Sequence, residues 1–288
     1  MLVAGFLFGC MGVFVKLSAA HFSSGELVFY RSLFGLMLVF VMLRGRKLPL
    51  ATPYATGHLW RGLSGSAAMI LFFYCLTVLP LATAITLNYT SSLFLTTLTL
   101  LVYKDRFHLP LTSALILGFC GVVLLLRPTL DQDQLLPGLL GLTSGLLAGV
   151  ALLNVRQLGR LGEPASRIVF YFNVIATLVS GLWMLHGPLH ALTLERLPLL
   201  LAIGACATLA QLAMTRAYRL GQTLAVSTLS YSTIAFASLF GMLLWHEAVP
   251  LTGWLGMLLI VSSGVLSLKL APRHAEPANI KYKTGNAS

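Results

Sequence analysis

The chain has 288 residues, of which 57% are hydrophobic and only 9% charged, against roughly a quarter charged in an ordinary soluble domain. A soluble fold of this length lacks the interior to hide so much apolar surface, and disorder requires low hydrophobicity. What remains is a polytopic α-helical membrane protein, because the apolar runs are continuous and do not alternate as barrel strands do.

Ten spans are predicted, at about 1–20, 26–43, 60–79, 82–103, 110–126, 137–155, 166–185, 197–215, 222–245 and 251–270. Each is near the ~20 residues that a bilayer requires. Ser18-Ala19-Ala20 has the small residues of a cleavage site, but no basic stretch precedes the first span, so an uncleaved helix is expected. The chain begins almost inside that span, which points to a few native residues ahead of it. Leu79-Pro80-Leu81 is read as a tight turn between the third and fourth spans, because an unbroken helix over both could not fit a bilayer. Arg219-Leu220-Gly221-Gln222 is the matching turn between the eighth and ninth. The connections are short and leave no room for a soluble domain.

The net charge of +11 gains meaning once it is placed. With the N-terminus in the cytoplasm, fifteen Lys and Arg residues fall on the cytoplasmic side and only Arg127 and Arg196 outside. That asymmetry predicts an inner- or plasma-membrane protein with both termini cytoplasmic. The basic residues, Arg61 counted among them, are spread over five connections as topology signals. No basic patch carries interleaved aromatics, so nucleic acid is not an expected partner. Lys16 and Arg31 are left within spans.

The two halves resemble each other. Ala84-Ile85-Thr86-Leu87-Asn88-Tyr89 matches Val226-Ser227-Thr228-Leu229-Ser230-Tyr231 at an offset of 142 residues. The same offset carries Phe94 onto Phe236 and Asp105 onto Glu247, and nearby offsets align Pro110-Leu111-Thr112 with Pro250-Leu251-Thr252 and Val28-Phe29-Tyr30 with Val169-Phe170-Tyr171. Five spans is an odd number, so the second copy inserts upside down. The expected fold is therefore all-α, with ten transmembrane helices in two inverted five-helix repeats around a central cavity. The repeats are expected over 1–130 and 131–271, with a short cytoplasmic tail over 272–288. Gly141-x-x-x-Gly145-x-x-x-Gly149 places three glycines on one face of the sixth span. Close packing within one chain is the favoured use of that stripe, so a monomer is expected, with a dimer as the alternative.

Enzyme signatures are absent: no phosphate-binding Gly-rich loop is present, and His246-Glu247 lacks the second histidine of a zinc protease. Cys10, Cys75, Cys120 and Cys206 lie in apolar spans without metal-ligand spacing. No catalytic residue, metal or cofactor is expected. All eight acids and all seven histidines lie in loops or near span ends, so no proton relay reaches the midplane and the substrate gradient is the favoured driving force.

Lys16 and Arg31 sit at a common depth, roughly 9 Å from the external end at 1.5 Å per residue. They could jointly hold an anionic group, or pair structurally with Glu26 and Glu247. Tyr74, Asn88, Tyr89, Ser92, Asn154, Gln211, Ser230 and Tyr231 are polar groups too costly to turn towards lipid. They either bond a substrate or tie helices together. Phe14 and Tyr30 add ring surfaces. These twelve residues are the candidate substrate contacts, in a cavity lined by spans 1, 3, 4, 6, 8 and 9.

Gly12-Val13-Phe14-Val15-Lys16, Glu26-Leu27-Val28-Phe29-Tyr30-Arg31, the Ala82–Tyr89 stretch leading to Asp105, and Glu247 followed by the Gly253–Gly264 helix resemble the EamA-type branch of the drug/metabolite transporter superfamily. The resemblance implies alternating-access transport of small metabolites, often export of amino acids or related compounds. One part of that family imports or exchanges compounds such as S-adenosylmethionine, which is the alternative reading. Many members have Trp-Gly where this chain has Met11-Gly12, and a proline where it has Ser91-Ser92. A membrane-embedded enzyme or a non-transporting membrane protein is the remaining class, which the duplicated, polar-lined halves disfavour.

Overall fold

The computed structural model describes residues 1–47, 49–103, 135–185, 189–220, 229–246 and 250–270, with single positions at 113, 116–118, 120, 121, 124 and 226. Ten helices are described: α1 (Leu2–Ser18), α2 (Ser24–Gly45), α3 (Ala55–Val78), α4 (Leu81–Tyr89), α5 (Ser91–Tyr103), α6 (Leu135–Arg160), α7 (Ala165–Met184), α8 (Leu197–Leu220), α9 (Ser232–Trp245) and α10 (Leu251–Leu270). Of these, α2, α3, α6, α7 and α8 have 20–26 residues each and are apolar enough to cross a membrane alone. The predicted span at 110–126 falls largely outside the described residues. So do Asp105, Glu247, Gly221, Gln222 and the tail over 272–288.

Local chemistry sets the helix ends. Ser23 caps α2: its hydroxyl accepts from the Glu26 amide at 3.3 Å, and the Glu26 carboxylate accepts from the Ser23 amide at 2.7 Å. This reciprocal pair satisfies donors that a helix start otherwise leaves open. The turn expected at residues 79–81 is present. Leu79 is extended, as a residue before proline prefers, and α4 starts directly after Pro80. Gly162, at φ +86°, ends the α6–α7 turn in the left-handed region that glycine adopts without penalty. The Glu163 amide then donates back to the Leu158 carbonyl.

The fourth predicted span is divided at Thr90, whose hydroxyl donates to the Leu87 carbonyl at 2.6 Å. The second half repeats this break at Tyr231, immediately before α9. The two halves thus carry matching interruptions in corresponding helices.

Packing obeys the same symmetry. If α1, α2, α3 and α4–α5 correspond to α6, α7, α8 and α9, contacts should occur in exchanged pairs. They do: α1 packs on α8 as α6 packs on α3, and α3 packs on α7 as α8 packs on α2. The α2–α7 contact maps onto itself, so the pseudo-two-fold axis passes between those two helices.

The exchange extends to single residues. A Cβ on Gly149 would lie 3.0 Å from the Phe94 Cβ, and one on Gly9 would lie 3.3 Å from the Phe236 Cβ. Gly145 lies against Thr90 and Gly5 against Ser232 in the same way. Small residues let these backbones approach where lipid offers no hydrophobic drive for helix association. The glycine stripe of α6 therefore packs within the chain, and Gly5-x-x-x-Gly9 is its counterpart on α1.

Candidate functional site

A cavity of about 140 Å³ lies between the halves. Every helix from α1 to α9 contributes, including α2 through Arg31 and α7 through Phe172. The lining expected from the sequence, spans 1, 3, 4, 6, 8 and 9, omits both helices, although Arg31 is among the expected contacts. Met11, Met69, Phe72 and Phe73 give the cavity an apolar wall, while Asn88, Tyr89, Ser92, Gln211 and Ser230 supply polar groups. Met1 and Tyr218 also line it, so it extends towards the end of the bundle where α1 begins and α8 finishes.

Two buried cations define its chemistry. Arg31 is 3% exposed and Arg61 is 4% exposed. Arg61 lies six residues into α3 and Arg31 seven into α2, so each is roughly 10 Å from its helix start at 1.5 Å per residue. The helices run in opposite directions, so the two side chains enter from opposite ends of the bundle. Both reach the same ring: the Arg61 guanidinium carbon is 4.1 Å and that of Arg31 5.3 Å from the Phe172 centroid, both within cation–π range. The charges are therefore no more than about 9 Å apart, where their mutual repulsion is about 2 kcal/mol at an effective dielectric of about 20.

Gly65 makes this arrangement possible. It follows Arg61 by one helical turn, and a Cβ there would collide with the Arg61 guanidinium and touch Phe172 at 3.0 Å. Arg31 Nη1 donates a long 3.5 Å hydrogen bond to Asn173 Oδ1. Asn173 follows Arg31 by 142 residues, the repeat offset, so this contact sits on the pseudo-two-fold axis. Among the described residues no carboxylate lies within ion-pair distance of either arginine. Arg31 Nε, Arg61 Nε and Asn173 Nδ2 are buried donors without an acceptor.

Of the twelve candidate contacts, Arg31, Asn88, Tyr89, Ser92, Gln211 and Ser230 line the cavity. Asn88 Nδ2 also donates to Ser144 Oγ at 2.8 Å, and Ser144 donates to the Ala68 carbonyl. Tyr89 and Thr233 share a 2.8 Å hydrogen bond across the α4–α9 contact. These residues thus tie helices together and also face the cavity. The other six lie elsewhere. Lys16 Nζ is 4.9 Å from the Trp245 ring, and Tyr30 packs between Phe22 and Phe34. Asn154 Nδ2 donates to Val150 on its own helix. Phe14 and Tyr74 pack on the core, and Tyr231 is buried. Arg61 and Phe172 were not predicted. Hydropathy starts the third span at 60 and so reads Arg61 as a topology charge, whereas the helix starts at Ala55.

The model of the EamA-like transporter family matches the sequence twice, over residues 1–127 and 136–268. The chain belongs to the EamA-like transporter family. This EamA-like protein is 30% identical over 268 residues to the pseudopaline exporter CntI of Pseudomonas aeruginosa, covering 92% of this chain and 93% of that one. It is 23% identical to a riboflavin transporter of Brucella anthropi, covering 84% and 87%. It is 25% identical to human solute carrier family 35 member G1, covering 92% and 76%. A crystal structure at 18% identity superposes with a TM-score of 0.68, covering 95% of this chain and 98% of that one, and shows the shared fold. The EamA-like chain is thus a multi-pass membrane protein of a transporter family, as the sequence resemblance anticipated.

Proposed function

We propose that this protein is a secondary transporter that exports small, amphipathic, amino-acid-like metabolites across the inner or plasma membrane, with both termini cytoplasmic. The observation that carries this reading is the cavity between inverted halves, largely apolar in its lining with a small set of polar groups. Arg31, Asn88, Tyr89, Ser92, Gln211 and Ser230 contact the substrate in this conformation. The cavity extends towards the end where α1 begins, which the basic residues assign to the cytoplasm. That geometry suits loading from inside the cell, and the similarity to an exporter agrees with it.

Transport proceeds by alternating access, with the repeats over 1–130 and 131–271 rocking against each other. Phe14, Lys16, Tyr30 and Tyr74 lie towards the opposite end and line the cavity when it opens outward. Two unpaired guanidinium groups disfavour a net cationic substrate of the S-adenosylmethionine type. Purified protein in liposomes should accelerate counterflow of labelled metabolites from a panel of acidic, neutral and basic amino acids, nucleosides and vitamins. Absence of flux for the whole panel would overturn the reading.

A further inference from the structure

We infer that the substrate is an acidic small molecule carrying two negative charges, with an oxyanion group seated between Arg31 and Arg61 against the ring of Phe172. The inference rests on the transport reading for the identity of the site and adds the class of compound that the site takes.

The inventory of hydrogen-bonding groups carries it. Arg31 Nε, Arg61 Nε and Asn173 Nδ2 can only donate, all three are buried, and none has an acceptor. A guanidinium has five donors and no acceptor, so nothing inside such a cluster can satisfy its members. A carboxylate or phosphate offers only acceptors, in the planar or tetrahedral arrangement that an arginine fork fits. A net-neutral zwitterion brings one carboxylate and an ammonium group, so it leaves both cations without net compensation.

Charge points the same way. Elsewhere among the described residues the buried carboxylates are matched. Glu163 faces Arg167, His58 and Thr52, and Glu26 faces His190 and Ser23. Among the described residues only the cavity holds two buried cations with no carboxylate near them. A ligand with two negative charges neutralises both and removes their mutual repulsion. Gly65 leaves room for the Arg61 fork over α3, and the Phe172 ring seats it there before the ligand arrives. The apolar wall of Met69, Phe72 and Phe73 then receives the remainder of the molecule.

The test is thermal stabilisation of the detergent-purified full chain at matched chloride and ionic strength. Glutamate, citrate and glucose 6-phosphate serve as anionic probes, with glutamine, alanine and lysine as neutral and cationic controls. At least one di- or polyanion should stabilise wild-type protein with saturable dependence, and the controls should not. Whether the carboxylates or the phosphate ester act identifies the oxyanion. Arg61→Gln and Arg31→Gln should each weaken that response at least tenfold while the protein stays monodisperse. Arg61→Lys, which keeps the charge and loses the fork, should weaken it less. Stabilisation by a neutral or cationic control equal to that by the best anion, no response to any anion, or an unchanged response in both Gln variants would overturn the inference. Loss of assembly in both Gln variants together with an unweakened response in Arg61→Lys would overturn it as well, by making the pair structural.

Liposome flux separates this inference from the one beneath it. Flux of neutral amino acids, unaffected in Arg61→Gln, leaves a transporter and removes the anion seat. Saturable anion binding without flux of any probe keeps the seat and removes the transport reading.

Discussion

Two buried charge clusters in this protein have opposite constructions. At the end of the bundle where α6 meets α7, Glu163 is enclosed by partners. Arg167 Nη1 donates to both of its oxygens at 3.0 and 3.1 Å, Thr52 Oγ1 donates at 2.7 Å, and His58 Nε2 lies 3.5 Å away. His58 in turn packs against Tyr171 with ring centroids 4.5 Å apart. In the cavity, Arg31 and Arg61 share one aromatic ring, and Arg31 alone adds one long hydrogen bond to an amide. A buried charge costs several kcal/mol to desolvate, and partners must offset that cost. Where they do, as at Glu163, the charge ties the connection after α2 to the start of α7. Where they do not, as at Arg31 and Arg61, protein groups leave the cost uncompensated, and the proposed anionic ligand would offset it. Burial alone therefore does not separate a structural ion from a binding one; the inventory of its partners does.

Removing the central member of the satisfied cluster should have the largest effect on stability. Glu163→Ala leaves Arg167 and Thr52 without their acceptor and should destabilise the protein by about 3 kcal/mol. The readout is the melting temperature of purified protein together with the fraction recovered as a monodisperse species.

The same measurement on the cavity cluster should move the other way. Arg61→Leu removes an uncompensated charge and should leave stability unchanged or raise it by about 1 kcal/mol, since apolar replacement of buried ions is often neutral or stabilising. A loss comparable to that of Glu163→Ala would erase the distinction between the two sites.

A subtler variant keeps both charges. Gly65→Ala places a methyl group where the Arg61 guanidinium and Phe172 lie, so the fork must move. Affinity for the acidic ligand should fall about tenfold, equivalent to about 1.4 kcal/mol, while stability changes by about 1 kcal/mol or less. Ligand titration followed by thermal shift reads both quantities.

The smallest effect is expected at Asn154, whose amide donates to its own helix and stays outside the cavity. Asn154→Ala should change stability by no more than about 0.5 kcal/mol and leave ligand affinity within about twofold, equivalent to about 0.4 kcal/mol.

The arrangement of this site was only partly legible in the sequence. Arg31 stood out because a cation in the interior of an apolar span is rare. Arg61 did not, because it sits where a topology charge would sit, near the start of a span whose polar first turn hides its true beginning at Ala55. Its side chain could turn outward to water or inward to the cavity, and hydropathy is the same for both. The glycine one turn later was the available signal. Gly5-x-x-x-Gly9 is likewise readable beside Gly145-x-x-x-Gly149, because an offset of 140, within the range of the repeat, carries one onto the other. Lys16 shared the depth of Arg31, but depth along a helix does not give the direction in which a side chain leaves it, and Lys16 lies over Trp245 instead.

By itself the sequence determined the class of protein, the helical spans, the duplication and the family resemblance. These are properties of the residue order alone: composition, period, internal similarity and local rules at prolines, glycines and caps. Tertiary structure decided which polar groups share a cavity and which of them lack partners. Whether a donor is satisfied depends on acceptors that are far away in the chain, such as Asn173 for Arg31 across 142 residues. That pairing exists only once the two halves have packed around their common axis.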